Sequence, residues 1–189
     1  MLNLILLGPP GSGKGTQAEF IVDTFELNHI STGNCLRKEI AEQTELGKKV
    51  QDIMAAGHLV GDEIVNAIIA NHIKNNIEAK GFLFDGYPRT IAQAEYLDQF
   101  LAELDIPIVS AINLDVPDEE LVRRIVYRGQ ASGREDDNEE TAWERINEYN
   151  RKTKPLIDFY THQDKVEHLH GVRTITETNN LVKKIIENL

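Results

Sequence analysis

Directly after the apolar run MLNLILL the chain reads GPPGSGKGTQ, residues 8–17. Four glycines, two prolines and a lysine within ten residues suit a backbone that bends tightly and meets a ligand closely. The spacing Gly8-x-x-x-x-Gly13-Lys14 is that of a phosphate-binding loop. Successive backbone N–H groups of such a loop curl around phosphate oxygens, and side chains would block the approach. The helix that follows adds its positive amino-terminal end, and Lys14 reaches toward the β- and γ-phosphates. Gly15 stands where the pattern expects Ser or Thr, with Thr16 next. A loop of this kind names a polyphosphate but no reaction, since switches, ATPases and small-molecule kinases all use it. The chain has no Asp-x-x-Gly segment to sense a γ-phosphate and no Asn-Lys-x-Asp segment to read guanine. Both gaps weigh against a GTPase.

The loop needs a buried strand before it and a helix after it. LNLILL reads as the strand and Lys14–Phe25 as the helix. GFLFDG, IVSAINLDV and VRTIT are further short apolar runs that read as strands, and TNNLVKKIIENL reads as the last helix. Strands alternating with helices predict an α/β fold with a parallel sheet covered on both faces. Residues 31–73 hold too much helix for one crossover and read as a helical insertion beside the sheet. Within them Ile64, Val65, Ile68, Ile69, His72 and Ile73 share one helical face, with Asp62 as the expected N-cap. RGQASGREDDN, residues 128–138, is a polar, glycine-containing second insertion. After it, Asp137 to Glu140 reads as a capping box.

Composition narrows the ligand. The net charge of −11 and pI near 5.0 argue against a nucleic-acid partner, which needs a basic field,. There are nine arginines, and a cluster of them at one site would suit a small polyanion,. Cys35 is the one cysteine, which excludes an internal disulfide and a thiolate-built zinc site and fits a cytoplasmic setting,. The apolar amino terminus is too short to span a membrane. At 189 residues the chain suits one domain,.

GPPGSGKGTQ, STGNCLRKEI, GHLVGDEIV, GFLFDGYPRT and SGREDDNEET occur in that order, and together they resemble the adenylate kinases in the form with a short lid. The resemblance runs from Met1 to about Tyr160, and Gly-Lys-Gly-Thr is itself that family's version of the loop. It implies a P-loop core with an AMP-binding insertion at 31–73 and a lid at 128–138. It implies a monomer that catalyses ATP + AMP ⇌ 2 ADP with Mg²⁺. By resemblance, Gly11, Ser12, Gly13, Lys14, Gly15 and Thr16 hold ATP, with Arg124, Arg128 and Arg173. Thr32, Arg37, His58, Leu59, Val60, Gly86, Tyr87, Pro88, Arg89 and Gln93 form the AMP side. Arg134 and Arg145 close over the transferring group from that side. Lys14, Arg89, Arg124, Arg128, Arg134 and Arg145 are the expected catalytic cations, and Asp85 lies near Mg²⁺, reached through water. Threonine at position 32 favours AMP, because relatives that phosphorylate UMP and CMP carry alanine there.

Two positions depart from the family pattern: Asn34 stands where Asp is usual, and Gly61 where Pro is usual. Gln93 is also the fourth residue of a capping box begun by Thr90, which competes with a base-reading role. Arg123 reads as a solvated charge, and Cys35 and Trp143 as packing residues. His168 and His170 share a strand face but lack a third metal ligand. A UMP/CMP kinase of the same architecture and a slowly turning nucleotide-dependent binding protein are the alternatives.

Overall fold

Strand β1 (Leu4–Leu7) is four consecutive buried apolar residues, which requires cover on both faces of the sheet,. The computed structural model, which describes residues 1–132, 137–170 and 173–189, supplies that cover. Ile5 and Leu7 face one apolar cluster, whereas Leu4 and Leu6 face another. The other strands are β2 (Asn28–Ser31), β3 (Phe82–Asp85), β4 (Ser110–Asp115) and β5 (Val166–His170). They form one sheet in the order β2-β3-β1-β4-β5, with every pair parallel.

Helix α1 (Lys14–Phe25) follows the glycine loop. Three helices, α2 (Thr32–Ala41), α3 (Glu45–Ala55) and α4 (Asp62–Asn75), separate β2 from β3. After β3 come α5 (Ile91–Glu103), β4, α6 (Asp118–Ser132) and α7 (Glu139–Glu148). A π-helical turn (Tyr149–Thr153) leads into α8 (Pro155–Thr161), and α9 (Ile175–Glu187) closes the described chain. Ala18 and Ile21 of α1 meet Val182 and Ile186 of α9 on the Leu4/Leu6 face. Ile69 and Ile73 of α4, Leu97 and Leu101 of α5 and Tyr160 of α8 cover the Ile5/Leu7 face. Among the described residues no helix is long and apolar enough to cross a membrane.

Several local expectations change. Of the strand expected at VRTIT, Val172 lies outside the described residues, and the strand that pairs with β4 is Val166–His170. Thr174 instead caps α9 in a complete capping box with Glu177, so Ile175 and Thr176 are helical. The backbone satisfaction offered by that box outweighs the β-branched propensity of the segment. Strand β2, NHIS, carries no alternation that would reveal it. It exists because β3 pairs with it, and His72 Nε2 on α4 meets its Asn28 Oδ1 at 2.7 Å. Asp62 is the first residue of α4 and Gly61 is the cap. Asn138, not Asp137, caps α7, accepting from Thr141 N. Trp143 is 41% exposed and is not core.

Asn3 ties the sheet where propensity would not place it. Fully buried, it donates through Nδ2 to Ile106 O at 2.7 Å and accepts Phe82 N at 3.0 Å. One side chain thereby joins the starts of β1 and β3 to the segment leading into β4.

Ile69 holds the three-helix insertion on the sheet. Ile69→Ala should cost about 2–5 kcal/mol, as a lost transfer contribution plus a cavity. Guanidinium unfolding should show the midpoint fall with the slope unchanged.

Candidate active site

The carboxyl ends of β1, β3 and β2 lie side by side, with Asp85 in register with Leu6 on one side and Ser31 on the other. In an open parallel sheet ligands gather at that edge. A cavity of about 440 Å³ opens there, within the range of small-molecule sites,. The glycine loop forms one wall. Gly8, Gly11 and Gly13 all have positive φ, at 138°, 83° and 97°, a conformation side chains resist. At Gly8 a Cβ would lie 2.6 Å from Leu114 O. Gly13 caps α1 with no side-chain hydrogen bond, so the first-turn N–H groups of the helix remain available to an anion,. Ser12 Oγ is buried and has no hydrogen-bond partner among the described residues.

Six of the cations named from the sequence come together. Lys14, Arg37, Arg89, Arg124, Arg128 and Arg145 all line the cavity. Each has an internal partner. Lys14 Nζ donates to Gly8 O and Pro9 O at 2.7 and 2.9 Å. Arg37 donates to Asn34 Oδ1 at 2.7 Å, Arg89 Nε to Gly86 O at 2.8 Å and Arg124 Nε to Glu120 Oε1 at 2.7 Å. Desolvation brings the Lys14 ammonium down to about 8, with Arg89, Arg145 and Arg128 pushing the same way and Asp85 opposing,. Desolvation and Arg145 likewise bring Arg89 down to about 10. Arg123 points away, 71% exposed and paired with Glu120.

A smaller cavity of about 60 Å³ adjoins the first, and Gly33, Arg37, Gly57, Leu59, Gly86, Arg89 and Arg145 line both. Thr32, His58, Val60 and Gln93 line the smaller one. Thr32 Oγ1 donates to Gly86 O at 2.7 Å, bracing the turn after β3. The His58 ring is half exposed, with Nδ1 3.8 Å from Glu144 Oε1. Thr90 caps α5 by accepting Gln93 N, but the Gln93 side chain does not close the expected box. It accepts Arg89 N and donates to Asp62 instead.

Other expected residues fall differently. Gly15, Thr16 and Pro88 line the larger cavity. Tyr87 turns inward, 1% exposed, and its hydroxyl donates to Asn66 Oδ1 at 2.7 Å. Burial holds that phenol well above its usual range. Its neighbours Gly86 and Pro88 present the turn to the cavity, and the Tyr87 ring anchors it in the core. Arg173 is exposed and does not line either cavity. Arg134 lies outside the described residues, as do positions 133–136 of the expected lid.

Asp85 fits the carboxylate of a magnesium site. Its side chain is 15% exposed, with Oδ2 3.6 Å from His29 Nε2. Burial pushes its carboxyl up, but the facing His29 ring, Lys14 and Arg89 together hold it below the usual carboxylate range,. Thr16 and Asp85 both line the cavity and offer oxygen donors, the type a hard divalent cation takes,.

Sequence reasoning missed Asp137. It is fully buried and accepts from two of the expected catalytic cations. Arg128 donates to it through Nε at 2.6 Å and Nη2 at 2.8 Å, and Arg145 through Nη1 at 2.7 Å. Burial raises its carboxyl, and the two guanidiniums outweigh that and hold it below its ordinary value. In the sequence it is one acid among several before a helix, and no local signal separates it from a cap.

A carboxyl lowered on folding stabilises above its unfolded value near pH 4 and loses that contribution as pH falls through the lowered value. Wild-type stability should therefore decline steeply below about pH 4. Asp137→Asn should lower stability at pH 7 by about 1–3 kcal/mol and flatten the acid decline. Urea unfolding from pH 7 to pH 2.5 checks both.

The family model described as adenylate kinase matches residues 6–165. Adenylate kinase of Phocaeicola vulgatus is 50% identical over 175 residues, 93% of each chain. That of Flavobacterium psychrophilum is 44% identical across the whole of both chains. That of Xanthomonas euvesicatoria pv. vesicatoria is 44% identical over 98% of this chain and 99% of its own. With a phosphate-binding loop, a convergent set of cations and a matched span covering most of its length, this chain belongs to the adenylate kinase family.

Proposed function

We propose that the protein transfers the γ-phosphoryl group of ATP to AMP, reversibly, giving two ADP. One observation carries the reading: two adjoining cavities share a cationic border of Arg37, Arg89 and Arg145. ATP phosphates suit the larger cavity, along the glycine loop, α1 and Arg124 and Arg128. AMP suits the smaller one, with its phosphate at Arg37 and Arg89 and its base toward Thr32, Val60 and Gln93. The shared border then lies where the two phosphate chains meet.

Transfer forms a bond from an AMP phosphate oxygen to the γ-phosphorus and breaks the bond from that phosphorus to the β–γ bridging oxygen. No side chain need take a proton or form a covalent bond. The work is alignment and charge neutralisation. Lys14 moves from the Gly8 and Pro9 carbonyls onto the β- and γ-phosphoryl oxygens. Arg128 and Arg145 exchange Asp137 for the transferring group, joined by Arg134. Asp85, with water between, would hold Mg²⁺, which when bound neutralises phosphate charge. Residues 31–73 act as the AMP-binding region and residues 128–138 as the lid that excludes water. Membership of the adenylate kinase family supports a monomer. The acidic charge and lone cysteine support a cytoplasmic setting.

The decisive assay supplies Mg²⁺ and ADP alone. ATP and AMP should form in equal amounts. No ADP disproportionation there, with slow hydrolysis when ATP is supplied without an acceptor, would instead indicate a nucleotide-dependent binding protein. With ATP as donor, kcat/KM should rank AMP above CMP, UMP and GMP. A higher value with CMP or UMP would assign the UMP/CMP kinase activity.

Lys14→Met should lower kcat by roughly 10²–10³ with the fold intact, as removal of a preorganised cation at developing charge does. The ammonium of the empty site also has a pH signature. Near pH 9 most of it is neutral, and a polyphosphate favours the charged form. ATP binding should therefore take up close to one proton at pH 9, and Lys14 should contribute none at pH 6.5. The KM for ATP should rise as pH passes about 8. Calorimetry in buffers of different ionisation enthalpy reads the uptake, and Lys14→Met should abolish it.

A further inference from the structure

Gln93 is 2% exposed and lines the smaller cavity. Its side-chain oxygen accepts Arg89 N at 2.7 Å, and its side-chain nitrogen donates to Asp62 Oδ1 at 2.7 Å. These partners allow the amide one orientation. A peptide N–H only donates, and a carboxylate oxygen only accepts. Turning the amide over would set NH₂ against N–H and carbonyl oxygen against carboxylate. Asp62 is itself held, because its other oxygen accepts from Thr90 Oγ1 at 3.1 Å.

An amide so fixed has one hydrogen and one lone pair left for a ligand. Adenine offers an acceptor at N1 beside a donor at its amino group. Hypoxanthine has the same shape with the polarity reversed, a donor at N1 and an acceptor at O6. A glutamine free to turn over could serve either base. A glutamine locked in one orientation can serve one of them.

We propose that Asp62 is the specificity-determining positioning residue of this site: by locking the Gln93 amide it selects a 6-aminopurine over a 6-oxopurine. The proposal rests on the reading of the smaller cavity as the AMP base site. Asp62 acts through Gln93 and makes no contact with substrate. Its place at the start of α4 also means that the base reader on α5 is set by a residue of the three-helix segment. The same amide holds the Arg89 backbone, so base reading and phosphate binding share one support.

The test measures kcat and KM for AMP and for IMP at saturating ATP, in four proteins: wild type, Asp62→Ser, Asp62→Asn and Gln93→Ala. Serine keeps a polar residue at the helix start but is too short to reach the amide. In Asp62→Ser only the Arg89 N–H still opposes the turned-over amide, so the KM for AMP should rise and the AMP/IMP ratio of kcat/KM should narrow by about tenfold, the scale of the lost charge-assisted hydrogen bond,. The KM for ATP should not change. Asp62→Asn, whose oxygen can still accept from Gln93, should keep the ratio close to wild type. An unchanged ratio in Asp62→Ser, with the ratio collapsed in Gln93→Ala, overturns the role of Asp62 and leaves the base site standing. An unchanged ratio in Gln93→Ala overturns the base site and the proposal together. Should Asp62→Ser fail to fold, the wild-type protein still answers by NMR. One of the two Gln93 side-chain amide protons should exchange slowly with solvent without nucleotide, and a rapidly averaging pair overturns the lock.

Discussion

Among the described residues six cations line one cavity in a protein of net charge −11, and their mutual repulsion must be met before any ligand arrives. Much of the local structure answers that constraint. Carbonyls of the glycine loop take Lys14, the Gly86 carbonyl takes Arg89, Glu120 takes Arg124 and Asn34 takes Arg37. Asp137 takes two guanidiniums at once from a fully buried position. Each partner is close to what a phosphate would offer, an oxygen with negative or partly negative charge. The site is therefore organised around its ligand's chemistry while it holds its own substitutes. Exchange of one set of oxygens for another lets the cations change partners without ever being left without a hydrogen-bond acceptor.

The same economy extends to polarity inside the fold. Gln93 joins the Arg89 backbone to Asp62, Thr32 braces the Gly86 carbonyl, and Thr153 donates to the Arg89 carbonyl at 2.9 Å. Arg89 is thus fixed at its N–H, its carbonyl and its guanidinium by three different elements. A buried polar network of this kind rigidifies the site when each member is satisfied. It also makes the segments that carry the two nucleotide pockets dependent on one another, because α5, the turn after β3 and the π-helical segment all terminate on one arginine, and α4 reaches it through Gln93.

The neutral side chain of Asn34 belongs to the same economy. It holds Arg37 with an amide oxygen at 2.7 Å, where a carboxylate would bind the guanidinium more strongly. Gly61, the other departure from the family pattern, caps α4 and accepts Val65 N through its carbonyl. Helix α4 begins properly there without the preset φ of a proline.

The sequence by itself determined the elements whose signal is local. The glycine loop after a buried strand, the helix beginning at Lys14, the alternation of strands with helices, and the arginines on ordered motifs can all be read from neighbours within a few residues. These depend on backbone conformation, periodicity and spacing, which short stretches specify. Tertiary structure alone decided the partners. Strand β2 forms because β3 lies beside it, and Ile175 and Thr176 are helical because Thr174 and Glu177 close a capping box. Asp137 leaves the cap to Asn138 because two guanidiniums from α6 and α7 converge on it. Gln93 abandons its own capping box because Asp62, thirty-one positions earlier in the chain, comes within hydrogen-bonding distance. A carboxylate or an amide has the same local propensity whether it caps a helix or neutralises a distant charge. Only the folded arrangement of opposite charges, at short range and away from water, makes one of those outcomes lower in free energy than the other.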